Sequence, residues 1–220
     1  METAPIERSS PVSFAMAPEQ LVLRGDWPVV LRYPHEGAGP WLVDLSHGGK
    51  WDFQSAALDR LAPRGVVLPE RPGACACAQG ILCSRLNPTQ AVAWHIAGPV
   101  PSPPDTCDVT DVTDAVALLG LVGPKLLPTL EKLTALDFVK PARAAPFILQ
   151  GPVAHVPSRV VCFATPTAAA SALIISCARG YARDMVDALL EAGKEFGLRP
   201  AGELAWTAWI DTIDYKKEAA

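Results

Sequence analysis

The chain has 220 residues, of which 50% are hydrophobic and 19% are charged, and its formal net charge is −4. This size and hydrophobic content allow a buried core without disulfide bonds, and the lack of a lysine or arginine cluster excludes a surface for a nucleic-acid backbone. The N-terminal residues lack the basic flank and apolar run of a secretion signal, and no apolar stretch has the length of a membrane span. We therefore predict a cytoplasmic protein with reduced thiols and neither nucleic-acid nor membrane partners.

The first half of the chain has the pattern of paired strands. Residues 1–18 are predicted to form a flexible arm. Short apolar runs predict strands at residues 41–45, 65–68, 80–86 and 90–96. Asn87-Pro88-Thr89 has the composition of a turn between the last two strands. Four prolines in residues 98–106 then indicate a linker near the middle of the chain.

The second half contains two units in which a strand precedes a helix. Residues 114–122 predict a buried strand, and Gly123-Pro124 turns the chain into a helix with one leucine-rich face. Residues 171–177 predict another strand, and residues 181–196 a long amphipathic helix that ends at Gly197. Paired strands followed by strand-helix units predict an α+β fold with mostly antiparallel sheets and packed helices.

Three segments carry a resemblance to a known family. They are LVDLSHGG at residues 42–49, DAVALLGLVGPKLLPTLEKL at 114–133, and ARGYARDMVDALLEAGKEFGLRPAGE at 178–203. In order and spacing they resemble the T-protein of glycine cleavage, an aminomethyltransferase. The PVAHV segment and the chain length are most similar to the gamma subunit of heterotetrameric sarcosine oxidase.

The resemblance implies a folate-binding-type domain built from two related halves. We accordingly predict a single domain over residues 19–220, with halves at about 19–98 and 107–205. The same resemblance implies that the C-terminal barrel of full-length T-proteins is missing.

The resemblance also places a cysteine at a position of catalytic importance. Active T-proteins carry a Gly-Ile-Leu-Asp segment whose carboxylate serves the tetrahydrofolate reaction, and the matching residues here are Gly80-Ile81-Leu82-Cys83. A second family motif holds the pterin with a glutamate, where this chain has Thr167 followed by alanines. Thr167, Lys50 and Arg85 remain as candidate ligand-binding residues. A pterin whose polar groups are unmatched binds poorly, so the usual folate chemistry is not expected.

Cys75, Cys77 and Cys83 are either metal ligands or packed thiols. Their spacing lacks the Cys-x2-Cys pairs of structural zinc sites, and a fourth ligand would have to be distant, such as His95 or Cys107. We predict that they pack without a metal. Cys83 stands two residues from Arg85, on the same face of a strand, and is therefore the thiol whose reactivity we expect to be raised.

Asp44, Ser46 and His47 allow two interpretations. They would form a hydrogen-bonded catalytic group, or Asp44 and Ser46 would only stabilise the turn at Gly48 and Gly49. Asp44, His47 and Cys83 are the candidate catalytic residues.

These observations predict a non-catalytic subunit of a hetero-oligomeric, sarcosine oxidase-like enzyme of one-carbon metabolism. Other protein subunits would be its partners and would hold the flavin. One alternative is a small tetrahydrofolate-dependent aminomethyl or methyl transferase with a rebuilt site lined by Asp44, His47, Cys83 and Arg85. A second alternative is a metal or redox protein that uses Cys75, Cys77 and Cys83.

Overall fold

The computed structural model describes residues 8–106, 108–139, 144–163 and 171–213, with the side chain of Ser171 left out. Its strands are β1 (Gln20–Arg24), β2 (Trp27–Arg32), β3 (Trp41–Asp44), β4 (Lys50–Gln54), β5 (Cys75–Ala78), β6 (Ile81–Asn87), β7 (Gln90–His95), β8 (Val109–Asp111), β9 (Val116–Gly123), β10 (Phe147–Val153), β11 (Val156–Cys162), β12 (Ser171–Ala178) and β13 (Arg199–Ala201). Its helices are α1 (Leu126–Glu131), α2 (Ala182–Gly193) and α3 (Glu203–Ile210). None of the helices in the described ranges is long and apolar enough to cross a membrane.

Two sheets dominate the architecture. One has six strands in the order β10-β11-β12-β9-β3-β13, and the other has five in the order β5-β6-β7-β4-β8. All neighbouring strands are antiparallel except β13 and β3, and β1 and β2 form a separate hairpin. The predicted α+β fold with mostly antiparallel sheets is confirmed.

Each of the two predicted halves contributes a strand to the sheet of the other. β3 precedes the proline-rich segment but lies in the six-stranded sheet, beside β9. β8 follows that segment but pairs with β4 in the five-stranded sheet. The two sheets therefore draw on both parts of the sequence.

The core has three apolar layers. The outer face of the six-stranded sheet is covered by α1 and α2, which bury Leu126, Leu130, Met185 and Leu189. A second layer lies between the sheets and includes residues from β3, β6, β7, β9 and α3. A third layer lies on the outer face of the five-stranded sheet.

The segment at residues 58–68 covers this third layer without forming the predicted strand at 65–68. Residues 63–65 form a short 3-10 turn, and Val66 and Leu68 are buried while Val67 is exposed. This alternation resembles that of a strand, but Pro63 and Pro69 have no N–H for a ladder. The apolar pattern therefore predicts the burial correctly and the secondary structure wrongly.

The described part of the predicted N-terminal arm, residues 8–18, makes several contacts. Val12 and Phe14 are buried, and the Phe14 ring meets Tyr33 edge-on with centroids 5.5 Å apart. The Ser10 hydroxyl donates a hydrogen bond to Asp44. These contacts place residues 10–14 next to the turn that follows β3.

Helix α3 closes one end of the layer between the sheets. Trp206 is fully buried there, and its indole N–H donates to the Ile96 carbonyl at 2.7 Å. Trp209 packs on Trp206 and on Phe163, with ring centroids 5.0 and 5.4 Å away. Trp206 is thus a core residue that ties α3 to the end of β7.

Candidate functional site

The turn between β3 and β4 is held by its own side chains. Asp44 Oδ1 accepts from the Ser46 N–H at 2.9 Å, and Ser46 Oγ accepts from the Leu118 N–H at 3.1 Å. A Cβ on Gly48 would lie 2.2 Å from the His95 carbonyl oxygen, so that no other residue fits without a backbone shift. Asp44 and Ser46 therefore stabilise the turn, as one of the two interpretations predicted.

Lys50 anchors the same turn from inside the protein. The side chain is fully buried, and its ammonium group donates to the carbonyls of Ser46 at 2.5 Å and Gly48 at 2.9 Å. Burial lowers the pKa of Lys50 to about 8, and the carboxylate of Asp44 only partly opposes this effect. With two of its donors on backbone carbonyls, Lys50 serves the turn, and it lines none of the cavities described below.

His47 belongs to a hydrogen-bonded cluster with Glu203, which is buried, and Arg24, whose side chain is 34% exposed. His47 Nε2 lies 3.0 Å from Glu203 Oε1, and the Arg24 guanidinium donates to the same oxygen. Burial alone raises the pKa of the Glu203 carboxyl group, but the hydrogen bonds and charges of His47 and Arg24 outweigh it, so the pKa is lowered overall. Glu203 begins α3, where the helix dipole also favours a negative charge.

Sequence reasoning identified His47 but missed Glu203 and Arg24. The signal available in the sequence for Glu203 was its position directly after Gly202, at the start of a helix. Nothing in the sequence connects it with Arg24, 179 residues away.

His95 lies close to this cluster and is neutral. It is 3% exposed, and burial, followed by the charge of His47, lowers its pKa to about 4. A histidine with this pKa does not exchange protons efficiently near pH 7.

Two cavities border His47. The larger, of about 600 Å³, lies beneath the proline-rich segment. Its wall includes Arg24, His47, Trp51 and Thr113, together with Pro99 of the proline-rich segment.

The smaller cavity, of about 340 Å³, is also bordered by Asp44 and Tyr33. Burial of Tyr33, aided by the carboxylates of Asp44 and Glu36, raises the pKa of its phenol to about 12. The phenol therefore stays protonated at neutral pH and can only exchange hydrogen bonds.

The three clustered cysteines do not point at one another. Cys75 and Cys77 on β5 contact the layer between the sheets, whereas Cys83 on β6 lies in the layer beneath residues 58–68. Cys75 Sγ lies 3.1 Å from the Ser84 hydroxyl oxygen. Among the described residues there is no group of three histidine, cysteine or acidic side chains placed to hold a metal, and Cys107 lies outside the described ranges.

The expectation that Cys83 has a raised reactivity is wrong. Cys83 has no exposed surface, and burial raises the pKa of its thiol far above the ordinary value of about 9. The Arg85 guanidinium is directed elsewhere: it pairs with Asp59 and donates to the carbonyls of Pro69 and Pro88. Arg85 therefore holds the covering segment, residues 58–68, in place and does not activate the thiol.

The structure thus brings only some of the predicted site residues together. Asp44, His47 and Lys50 share one turn, and Asp44 and His47 border the same cavity. Cys83 and Arg85 line none of the cavities at His47. Thr167 lies outside the described residues.

Comparison with known proteins gives one family and a set of structural neighbours. The family model for the GCVT N-terminal domain matches residues 81–209. One similar solved structure is heterotetrameric sarcosine oxidase from Corynebacterium sp. U-96 in complex with pyrrole 2-carboxylate, with 18% identity and a TM-score of 0.54 over 70% of this chain and 84% of that chain. No curated protein matches the chain. At this identity, the structural neighbour establishes the similarity of fold.

Proposed function

The chain belongs to the GCVT N-terminal domain family, and from this premise we propose that it is a non-catalytic subunit of a hetero-oligomeric, sarcosine oxidase-like enzyme of one-carbon metabolism. The match covers more than half of the chain and begins at Ile81, the first residue of β6. Flavin would be bound by the partner subunits, and tetrahydrofolate, if the complex uses it, would be bound there as well.

The environment of Cys83 carries this proposal. The resemblance aligns Cys83 with the carboxylate that serves the tetrahydrofolate reaction. Here the side chain is fully buried among Trp51, Phe53, Leu58 and Val66, and Cys83 lines neither the cavities at His47 nor the one at residues 60–65. A substrate cannot approach this position, and a thiol with a raised pKa does not replace a carboxylate base.

The structural neighbour supports a role in an assembly. That chain comes from a heterotetrameric enzyme, and the aligned region covers 84% of it and 70% of this chain. In the present chain, Leu21 and Leu23 on β1 are 49% and 67% exposed, and Leu204 on α3 is 38% exposed, as expected of a surface that another subunit covers.

The transferase alternative requires Asp44, His47, Cys83 and Arg85 to share a pocket. Cys83 and Arg85 lie under and beside the covering segment, and neither of them lines a cavity at His47. The redox alternative requires convergent thiols, but Cys83 faces away from Cys75 and Cys77. Neither alternative is favoured by the geometry.

We expect the chain to be recovered with partner subunits when a tagged copy is purified from its native host. The co-purified material should show the visible absorbance of an oxidised flavin, which this chain purified alone should lack. Expressed without partners, the chain should self-associate, because its exposed leucines would remain uncovered. A monomer at micromolar concentration for which the native host yields no partner would contradict the proposal.

Isothermal titration of the isolated chain with tetrahydrofolate should reveal no binding tighter than about 1 mM, or about −4 kcal/mol. The reason is the closed position of Cys83. A T-protein that catalyses the reaction, titrated under the same conditions, is the positive control. Micromolar affinity that is lost in the Asp44→Asn or His47→Ala variant would instead support the transferase alternative.

A further inference from the structure

A separate cavity of about 480 Å³ opens at one end of the six-stranded sheet and shares no lining residue with the two cavities at His47. It is lined by residues 115–116, 150–152, 157–159 and 176–178. Among the described residues that line it, Arg159 is the one with a charged side chain. The volume is within the range of small-molecule binding sites.

The strand register explains how polar side chains come to lie here. Gln150, Arg159 and Ser176 are direct partners across β10, β11 and β12. Two residues away, Val161 and Ile174 are partners in the layer between the sheets. Because side chains alternate along a strand, the polar row belongs to the same face as this apolar layer.

Arg159 has no described side chain to neutralise its charge. Its guanidinium forms no ion pair or hydrogen bond with any residue in the described ranges. Burial lowers its pKa, and the carboxylate of Asp52 on the facing sheet opposes this only at a distance. Both Asp52 oxygens already accept from the Gln90 amide, at 3.1 Å. A partly buried guanidinium without a partner favours an anion.

The remaining walls restrict the kind of anion. Val116, Ala115 and Ala178 line one side of the cavity, and Pro152 and Pro157 line another. A single positive charge suits one negative charge. The hydroxyl of Ser176 and the amide of Gln150, which also donates to the Leu86 carbonyl at 3.5 Å, can add neutral hydrogen bonds. Inorganic phosphate, with up to two charges and no apolar surface, fits these walls poorly.

We propose that this cavity binds a small organic monocarboxylate, whose carboxylate pairs with the Arg159 guanidinium and whose apolar body contacts Val116, Pro152 and Pro157. The site is independent of the subunit role proposed above, since neither Asp44, His47 nor Cys83 contributes to it. A planar guanidinium can donate two parallel hydrogen bonds to a carboxylate, and this makes the recognition specific for that group.

The test is a titration of the full chain with benzoate. Binding is measured by calorimetry and by the NMR signals of the arginine side-chain N–H groups. Benzamide, which has the same shape without the charge, is the matched control ligand. Benzoate should bind with a dissociation constant at or below about 1 mM, a typical value for a weak small ligand. Benzamide and inorganic phosphate should bind at least tenfold more weakly.

The variant Arg159→Gln should weaken benzoate binding at least tenfold, whereas Arg183→Gln, on the exposed face of α2, should leave it unchanged. Equal affinity for benzoate and benzamide, or unchanged binding in Arg159→Gln, would overturn the proposal. Should Arg159→Gln fail to fold, the comparison of benzoate with benzamide on the original chain decides, because it requires no substitution.

Discussion

Replacement of Cys83 by aspartate is expected to lower the free energy of unfolding at pH 7 by about 4 kcal/mol or more. The new carboxyl group would lie among Trp51, Phe53 and Leu58 with no exposed surface. Burial of this kind raises the pKa of a carboxyl group by roughly 3 to 5 units, at about 1.4 kcal/mol per unit. The measurement is urea unfolding of both proteins, monitored by tryptophan fluorescence.

Two control variants separate charge from size. Cys83→Ala removes the thiol without adding a polar group and should cost much less than the aspartate variant. Asp at position 83 should also cost less at pH 5 than at pH 8, because the protonated carboxyl group carries no charge to bury. An aspartate variant as stable as the alanine variant, or one that binds tetrahydrofolate, would show that position 83 is open to solvent and would remove the main support for a non-catalytic role.

The stability of the protein is expected to fall steeply between pH 9 and pH 10.5 under reducing conditions. Burial raises the pKa of Cys75 and Cys77 to about 12, that of Cys177 to about 11, and that of Cys83 further. In the unfolded chain these thiols ionise near pH 9, whereas the folded chain keeps them protonated. Their stabilising contribution is therefore complete below pH 9 and is lost as the pH rises.

Lys50 has the opposite effect over part of this range. The pKa of Lys50 in the folded protein is about 8, which is below its ordinary value of 10.5. Between these two values the unfolded chain binds more protons than the folded chain, so the free energy of unfolding rises with pH. Once they ionise in the unfolded chain, the buried thiols Cys83 and Cys177 together lower the free energy of unfolding by about 2.7 kcal/mol per pH unit, and Lys50 raises it by about 1.4. Cys75 and Cys77, which are half-buried, add to the loss.

Urea unfolding at intervals from pH 7 to pH 10.5 measures this dependence. The double variant Cys83→Ala, Cys177→Ala should show a shallower alkaline loss, and Lys50→Met a steeper one. Slopes that do not differ among the three proteins, or a stability that rises above pH 9, would contradict the assignment of the buried groups.

Local sequence patterns were sufficient for much of the fold. Alternating and continuous apolar runs predicted β3, β6, β7, β9 and β12, and the period of Met185 and Leu189 predicted α2, because each pattern reflects burial on one or two faces. The motifs at residues 42–49, 114–133 and 178–203 were also sufficient for the family, which the match over residues 81–209 confirms.

Tertiary structure decided which residues meet. Cys83 and Arg85 share a strand face, as predicted, yet the guanidinium extends to Asp59 and leaves the thiol in an apolar layer. Cys75 and Cys77 are separated from Cys83 by the thickness of the sheet, although they are close in sequence. His47 pairs with Glu203 and Arg24, which the sequence places far away on α3 and β1.

The sequence by itself determined the fold class and the family, since these depend on residue identity and on periodicities within a few residues. Only the tertiary structure decided that Cys83 is buried, that Lys50 serves the turn at Ser46 and Gly48, and that Arg159 lines a cavity without an ion-pair partner among the described residues. The physical reason is that pKa values, ion pairs and cavities depend on distances between strands. Those distances are set when the two sheets pack, and they leave no local signal in the sequence.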